Sequence, residues 1–354
     1  MKNWLDNDIT IFNLLILAVL ILLLCVLFLK VYISKEDVKQ YPFQIDTPIY
    51  TNKKNLVISK LKPIKINLPL PASQTKPMPL PPGGGIKRKI CFSSNRADGR
   101  YYQLYMMNSD GNNIEKLTDS KAFDRDPHFS YDGTKVAFAS NRTGTYQIYI
   151  LDLDTLAVKC LTQGEHDKTN PFWSPDDNRI LFTIHKNGHS QLGVLNVVTQ
   201  KIYNLTNFPG NNYGYGFSPD GTKISFESTM NNRNEIFVLD IRLQTLTSLI
   251  TIDKLTYMGD PVFSPDGSNI IFSSNSYNQK TRQLYLYNFE HQQYFRITYD
   301  PWDKDDPIFS PDGTMIAYVA CWENAWNIFV MDLAGKHTQN ITRSYYDNLV
   351  PSWR

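Results

Sequence analysis

Three features of the sequence predict an all-β fold, a six-bladed β-propeller over residues 90–354. A segment close to Pro-x-Phe-Ser-Pro-Asp-Gly recurs every 44 to 46 residues, a spacing typical of propeller blades. Short stretches of alternating apolar and polar residues lie between the copies, as half-buried strands require. The two ends of the region carry incomplete repeats that complement each other. We also expect a membrane helix and a proline-rich linker before the propeller.

The first 40 residues contain an apolar segment that predicts a membrane anchor. Ile9–Leu29 are 21 residues without a charge, and a helix of that length spans about 30 Å of hydrocarbon. No small residues of a cleavage site follow it, so a single-pass helix is favoured over a signal peptide. Lys30, Lys35 and Lys39 follow the helix, and the positive-inside tendency alone would leave the large C-terminal part in the cytoplasm.

Residues 41–89 predict an extended linker. Nine of the 20 prolines lie between Pro42 and Pro82, and this segment carries nine basic residues but one acidic residue, Asp46. Proline at this density prevents both helices and sheet interiors. We therefore expect a basic, partly stiff tether that acts as a spacer, with attraction to an anionic surface as the alternative.

The charge of the repeat region excludes one class of partner. Residues 90–354 carry 23 basic and 29 acidic residues, whereas binding to nucleic acid phosphates needs an excess of lysine and arginine. We therefore expect no nucleic acid partner. The four cysteines are too few and too scattered for a disulfide framework or a spaced zinc site, so we expect packed thiols.

The repeat itself is marked at two places in each copy. The first marker is the Pro-x-Phe-Ser-Pro-Asp-Gly segment, and its copies begin at Pro127, Pro171, Tyr215, Pro261 and Pro307, with a sixth start at Pro351. The second marker is a Leu/Ile-Thr pair in phase with it, at 117–118, 161–162, 205–206, 297–298 and 341–342, with Leu-Ile at 249–250. Two markers in one register indicate one supersecondary unit repeated along the chain.

Each repeat predicts four antiparallel strands, here named a to d. Pro-x-Phe-Ser is strand a, and the Ser-Pro-Asp-Gly turn leads into an alternating strand b, such as Val136–Ala139. Strand c follows, as in Gln147–Leu151, and a short strand d ends at the Leu/Ile-Thr marker. The first repeat has strands b, c and d only, and the chain ends on a strand a at Val350–Arg354. The C-terminal strand should therefore complete the first blade and close a ring of six.

The best-formed copy resembles a known family. The stretch Asp126-Pro-His-Phe-Ser-Tyr-Asp-Gly-Thr-Lys-Val-Ala-Phe-Ala-Ser-Asn-Arg142 is similar to the WD-type repeats of the TolB β-propeller family, and the similarity covers residues 90–354. The resemblance implies the fold, and it favours an extracytoplasmic propeller at the cell envelope because the family is mostly exported. An anchor and tether stand where the family has a small α/β domain, so a role in a Tol–Pal assembly is not carried over. Similar propellers occur in prolyl oligopeptidase-like peptidases and oligogalacturonate lyases.

The predicted topology brings two sets of loops to one side of the ring. The d-to-a loops and the b-to-c loops share a face, which we call the loop face, and the Ser-Pro-Asp-Gly turns lie opposite. The residues immediately before the strand-a prolines should surround the channel on this side, and four carry side-chain oxygens: Asp126, Asn170, Asp260 and Asp306. Such a ring would attract a hard cation such as Ca²⁺ or the amino terminus of a peptide. The alternative is that each side chain only ties its strand to neighbouring backbone N–H groups.

Aromatic residues in the same loops predict a binding rim. These candidates are Phe123, Tyr213, Tyr257, Trp302, Trp322, Trp326 and Tyr346. Exposed aromatic side chains are enriched at protein interfaces and also stack on sugars, so a protein, peptide or glycan partner is expected. The alternative is that several of these rings pack between blades.

The sequence offers little for catalysis. No Gly-x-Ser-x-Gly, phosphate-binding glycine loop or His-Glu-x-x-His motif is present, and we expect no cofactor beyond a cation at the channel mouth. His166, His185 and His189 should approach one another on the loop face of the third blade. They are candidate ligands for a metal-dependent, lyase-like enzyme, with solvated histidines as the alternative. The favoured prediction is a membrane-anchored binding scaffold.

Overall fold

The computed structural model describes residues 88–230, 232–251, 257–275 and 280–354, and all regular structure in these ranges is β-strand. In the described ranges, no helix is long and apolar enough to cross a bilayer. The predicted anchor at 1–40 and the linker at 41–89, except Arg88 and Lys89, lie outside the described residues.

The strands are numbered in chain order, and each blade contributes four of them. Their bounds are β1 Lys89–Ser94, β2 Gln103–Asn108, β3 Glu115–Lys116, β4 Asp124–Phe129, β5 Lys135–Ser140, β6 Gln147–Asp152, β7 Val158–Cys160, β8 Asp167–Trp173, β9 Arg179–Lys186, β10 His189–Asn196, β11 Ile202–Asn204, β12 Asn212–Phe217, β13 Lys223–Ser228, β14 Glu235–Asp240, β15 Thr245–Thr251, β16 Met258–Phe263, β17 Asn269–Ser274, β18 Gln283–Asn288, β19 Gln293–Arg296, β20 Lys304–Phe309, β21 Met315–Trp322, β22 Ala325–Asp332, β23 Gln339–Asn340 and β24 Asn348–Trp353.

These strands form six four-stranded antiparallel sheets, one for each predicted blade. Blades 2 to 6 are β4–β7, β8–β11, β12–β15, β16–β19 and β20–β23, each in sequence order. Blade 1 has the order β24-β1-β2-β3. The six-bladed propeller is therefore confirmed, with the C-terminal strand in the place of strand a of blade 1.

The closing strand joins the two ends of the propeller through backbone and side-chain contacts. The Lys89 N–H donates to the Arg354 carbonyl at 2.6 Å, and the Arg354 N–H donates to the Lys89 carbonyl at 2.8 Å. Trp353 is 9% exposed and packs among residues of blades 1 and 6. The Arg354 guanidinium reaches blade 2, where it donates to the Ser130 carbonyl at 2.9 Å. Closure therefore leaves β1 paired on both sides.

The hydrophobic core is divided among the six junctions between neighbouring blades. At the junction of blades 1 and 2, Cys91 and Leu104 contact Phe129 and Phe138, and the other five junctions hold equivalent clusters. Burial of each phenylalanine side chain contributes about 2–3 kcal/mol. Because successive side chains of a strand point to opposite faces of its sheet, each blade buries one set of side chains against each of its two neighbours. These contacts hold the blades together around the ring.

The Ser-Pro-Asp-Gly turns are closed by their own side chains. The Ser130 hydroxyl donates to Asp132 at 2.7 Å and accepts from the Lys135 N–H at 2.9 Å. The same serine–aspartate pair occurs in the other four turns, at 174–176, 218–220, 264–266 and 310–312. Gly133 ends its turn at φ +68°, a conformation that glycine adopts without steric cost.

Each strand a contains a bulge that the alternation of the sequence did not reveal. Strand β4 starts at Asp124, three residues before the proline predicted to open it, and its register shifts between Arg125 and His128. The residue before the proline has a positive φ in five blades: Asp126 (54°), Asn170 (52°), Asp260 (55°), Asp306 (48°) and Val350 (50°). Proline has no N–H to donate, so it is accommodated at a bulge inside the strand.

We expect Val350→Asn to stabilise the protein by about 1 kcal/mol. A β-branched residue is strained at positive φ, whereas asparagine and aspartate adopt this conformation more readily, as they do at the equivalent position of four other blades. The measurement is urea unfolding followed by circular dichroism. Val350→Thr keeps the branch at Cβ and should bring no gain; an equal gain from threonine would contradict the argument.

Candidate functional site

Polar side chains hold the d-to-a loops in place on the loop face. The Thr162 hydroxyl donates to Gln147 Oε1 at 2.9 Å and accepts from the Ile148 N–H at 2.9 Å. The Gln147 amide then donates to the carbonyls of Gly164 (2.9 Å) and His166 (3.3 Å) in the loop. Equivalent pairs join residues 103 and 118, 191 and 206, 283 and 298, and 327 and 342. These Gln–Thr or Asn–Thr pairs explain the threonine marker, and they make five of the six loops pre-organised.

In blade 2, the Ser-Asn-Arg stretch after strand b, residues 140–142, fixes the end of the d-to-a loop that enters this blade. Both Asp124 carboxylate oxygens accept from Arg142 Nη2 at 2.9 Å, and Asp124 is fully buried. The guanidinium lies over the Tyr149 ring at 5.0 Å. Asn141 Oδ1 accepts from the Phe123 N–H at 2.9 Å. The motif therefore positions Phe123, a predicted rim residue, through contacts within its own blade.

The four predicted channel residues do surround one opening. Asp126, Asn170, Asp260 and Asp306 line one channel opening, together with prolines and apolar side chains. The remaining lining residues are Pro127, His128, Pro171, Phe172, Gly214, Tyr215, Val262, Pro307, Ile308, Val350 and Pro351. The opening is therefore lined by both polar and apolar side chains.

Three of these aspartates also join one blade to the next. Asp126 Oδ2 accepts from the Asn170 N–H at 3.2 Å, and Asp260 Oδ2 accepts from the Asp306 N–H at 3.4 Å. The Asp306 carboxylate accepts from the Val350 N–H of the closing strand. Tying backbone N–H groups, the alternative raised from the sequence, is thus one role of the ring. Burial together with Asp260 and Asp126 raises the pKa of Asp306 well above its ordinary value.

Two further carboxylates lie close to Asp260 of this ring, on the side of blades 4 to 6, and sequence reasoning missed both. Asp305 accepts from the Ser273 hydroxyl at 2.8 Å and forms an ion pair with Arg282. Glu227, on β13, lies beside Gly259 of the next blade. Burial is the main cause that raises the pKa of both carboxyls well above the ordinary value, and Asp260 adds to it. A signal existed at position 227, because the equivalent residues are Ser93, Ala139, Thr183, Ser273 and Val319.

The three histidines of blade 3 do not form a metal centre. His185 has hydrogen bonds at both ring nitrogens, with the Thr169 hydroxyl at 2.8 Å and the Ser190 hydroxyl at 3.0 Å. His166 is half-buried and His189 is exposed. Throughout the part of the chain that the structure describes, no group of three His, Cys, Asp or Glu side chains has a geometry that could hold a metal ion. The channel carboxylates are included in that statement.

The predicted rim residues differ in how much surface they present. Trp302 is 37% exposed and Tyr346 is 45% exposed, whereas Phe123, Tyr213 and Tyr257 are half-buried. The Trp302 ring lies 4.6 Å from that of Trp322. Tyr345, adjacent to Tyr346, is 87% exposed. Trp302, Trp322, Tyr345 and Tyr346 lie on loops or hairpins flanking blade 6, and we call them the aromatic patch.

Trp322 and Trp326 are half-buried, and both pack against the core as well as facing the surface. Trp322 packs against the cluster between blades 5 and 6, and Trp326 packs against the cluster between blades 6 and 1. These two rings therefore pack between blades, which is the alternative that the sequence analysis raised. Their replacement would therefore change stability as well as the surface.

Comparison with known proteins places the fold in a family. The family model described as TolB beta propeller domain matches residues 81–188 and 146–354. The chain belongs to the TolB β-propeller domain family. This TolB family member retains the six blades of the repeat, with the closing strand at its C-terminus. No significant match was found among curated proteins.

Solved structures share the fold of this TolB family member at low sequence identity. TolB from Acinetobacter baumannii is 22% identical with a TM-score of 0.68, over 75% of this chain and 66% of that one. A putative TolB from Agrobacterium tumefaciens is 19% identical with a TM-score of 0.58, over 73% and 89%. Hydrazine synthase of Kuenenia stuttgartiensis is 14% identical with a TM-score of 0.64, over 76% and 47%. The match spans just under two thirds of the Acinetobacter chain.

Proposed function

We propose that this TolB family member is a binding scaffold that captures a protein or peptide on its loop face. The observation that carries the proposal is the aromatic patch, in which Trp302, Tyr345 and Tyr346 expose large fractions of their rings on loops. Exposed tyrosine and tryptophan side chains supply much of the affinity of protein interfaces. The Gln–Thr or Asn–Thr pairs support the proposal further, because loops held before binding lose less conformational entropy when a partner docks.

The same proposal includes attachment to a membrane through residues 9–29, with the propeller outside the cytoplasm. The support is the uncharged 21-residue segment and the basic, proline-rich linker. Protease added to intact and to permeabilised cells tests the orientation. Digestion of the propeller in intact cells, or after opening of the outer compartment alone, is expected; protection until the inner membrane is broken would contradict it.

Photo-crosslinking in cells tests the loop face. A benzoylphenylalanine at position 345 is expected to give discrete adducts, whereas the same group at position 243 is expected to give none. Leu243 is a matched control because it is 72% exposed but lies in a c-to-d turn on the opposite face. Protease sensitivity of the adduct would identify a protein partner, and loss on glycosidase treatment would identify a glycan. Adducts of equal yield at both positions would contradict the proposal.

Substitution of the patch should weaken capture without unfolding the protein. With the crosslinker moved to position 302, Tyr345→Ser with Tyr346→Ser is expected to lower the adduct yield about tenfold. Both rings are exposed, so the unfolding midpoint should change little. An unchanged yield would show that the aromatic patch is not the contact surface.

A further inference from the structure

Four carboxyl side chains from three consecutive blades lie close together around Asp260, and two of them, Asp260 and Asp306, line the channel. They are Glu227 on β13, Asp260 on β16, and Asp305 and Asp306 on β20. The Ser273 hydroxyl lies between two of them, 3.0 Å from Asp260 Oδ2 and 2.8 Å from Asp305 Oδ1. The Tyr257 hydroxyl is 3.4 Å from Asp305 Oδ1. We call this group the acidic pocket.

The negative charge of the acidic pocket exceeds the positive charge around it. Arg282 is the cation in contact with it, and its ion pairs are with Asp305 and, at 3.6 Å, Asp303. Among the described residues, no lysine or arginine forms an ion pair with Glu227, Asp260 or Asp306. Buried carboxylates without a paired cation are costly, and burial accordingly raises the pKa of Glu227 and of Asp306. A cation from outside would remove that cost.

One oxygen of the pocket has no partner at all within the described chain. Glu227 Oε2 is buried and forms no hydrogen bond with any described group. Its neighbour Gly259 allows this position, since a Cβ there would lie 2.9 Å from Glu227 Oε2 and 2.4 Å from the Tyr257 hydroxyl. Other blades have Arg125, Thr169, Tyr213 or Asp305 at the position of Gly259. Because Gly259 has no side chain, Glu227 can place its Oε2 oxygen, which has no hydrogen-bond partner in the described chain, close to the Tyr257 hydroxyl and near the other carboxyl groups.

The arrangement suits an ammonium group better than a metal ion. No three of these carboxylates approach one another at a distance that a metal requires. An ammonium group donates three hydrogen bonds at about 2.8 Å, so its oxygen partners lie farther apart than the ligands of a metal ion. The adjoining channel wall, including Val262 and Ile308, is apolar, which suits the alkyl stem of a lysine side chain or the first residue of a peptide.

We propose that the acidic pocket of Glu227, Asp260, Asp305 and Asp306 binds a primary ammonium group presented by the partner. The assignment of that group to the partner rests on the proposed function, whereas the binding of an alkylammonium ion by the pocket does not. Glu227 supplies the acceptor that nothing else in the described chain occupies, and Asp260 and Asp306 supply the remaining charge.

Thermal unfolding of the full chain at pH 8 tests the pocket without a partner. The probes are n-butylammonium, tetramethylammonium and calcium chlorides at equal ionic strength, against sodium chloride. Millimolar n-butylammonium is expected to raise Tm by about 2–4 °C, and tetramethylammonium, which has no N–H, is expected to have no effect. Glu227→Gln should abolish the rise. Glu165→Gln, the same change at an exposed residue of the loop face, should retain it.

Two outcomes of the thermal unfolding experiment would overturn the proposal. A rise with calcium but not with n-butylammonium would assign the pocket to a metal, and no rise with any probe would leave no cation site. If Glu227→Gln unfolds, Glu227→Ser, which restores the residue of blades 1 and 5, takes its place. Two peptides identify the source of the ammonium group. One has a lysine and a blocked amino terminus, and the other has a free amino terminus and no lysine. The peptide that gives the larger rise in Tm shows which ammonium group the pocket binds. A retained ammonium response without adducts at position 345 would reject the proposed function alone.

Discussion

Trp353→Ala is expected to lower the free energy of unfolding by about 3–5 kcal/mol, because it empties a large volume where the ring closes. Trp353 pairs with Ile90 across the two ends of the propeller and packs against Val319 and Ile328 of blade 6. The cost combines lost apolar burial with a cavity that the two blades cannot fill without moving. Urea unfolding followed by circular dichroism, with the slope of the transition, measures it.

Two companion variants separate ring closure from simple loss of a contact. Trp353→Phe should cost less than about 1.5 kcal/mol, because the indole N–H is buried without a partner among the described residues and its loss offsets some of the lost volume. Removal of residues 348–354 should abolish cooperative unfolding, because it deletes β24 and exposes the free edge of β1. A truncated chain that unfolds with the midpoint of the full chain would disprove the role of the closing strand.

The features that sequence reasoning predicted are those that depend on local chemistry repeated in register. The Ser-Pro-Asp-Gly turn is closed by its own serine and aspartate, as between Ser130 and Asp132, so it is visible in each copy. The blade count followed from the same register, because strand a at the C-terminus and strands b to d at the start are parts of one repeat. Both conclusions needed no knowledge of contacts between blades.

The features that were missed depend on how neighbouring blades face each other. Glu227 contacts Gly259 only because blades 4 and 5 are adjacent in the ring, so comparison of the repeats marks both positions as unusual but does not show that they meet. Lys168, on β8, lies buried, with its ammonium 3.0 Å from the His166 carbonyl, although lysine side chains are usually exposed. Trp322, predicted as a loop residue of the rim, is instead the last residue of β21 and packs partly against the core cluster between blades 5 and 6.

The acidic pocket is expected to make stability fall as pH rises above about 4, which is opposite to the usual effect of carboxylates. Burial and neighbouring carboxylates raise the folded-state pKa of Glu227, Asp305 and Asp306 well above its ordinary value. The stability they contribute is therefore fully present below the unfolded-state pKa of about 4 and is lost as pH rises through the folded-state pKa. Each such group contributes a slope of about 1.4 kcal/mol per pH unit in that window.

Other titratable groups change stability with pH in the opposite direction, so the prediction concerns the difference between Glu227→Gln and the unmodified protein. Hydrogen bonds in its turn lower the pKa of Asp312 to about 2, and burial lowers the pKa of His128 to about 3. Both therefore remove stability as pH falls, His128 from about 6.5 downward and Asp312 from about 4. These residues are unchanged in Glu227→Gln, so the difference between that variant and the unmodified protein isolates Glu227.

Urea unfolding between pH 4.5 and 8.5 should show Glu227→Gln gaining stability relative to the unmodified protein as pH rises. A glutamine at 227 has no proton to lose, so one slope of about 1.4 kcal/mol per pH unit disappears from the window above pH 4. Glu165→Gln should follow the unmodified protein at every pH, since Glu165 is exposed and lies outside the pocket. Parallel curves for Glu227→Gln and the unmodified protein would mean that Glu227 is ionised to the same extent in the folded and unfolded chain. The negative charge of Glu227 would then carry no cost in the folded protein for a cation to relieve.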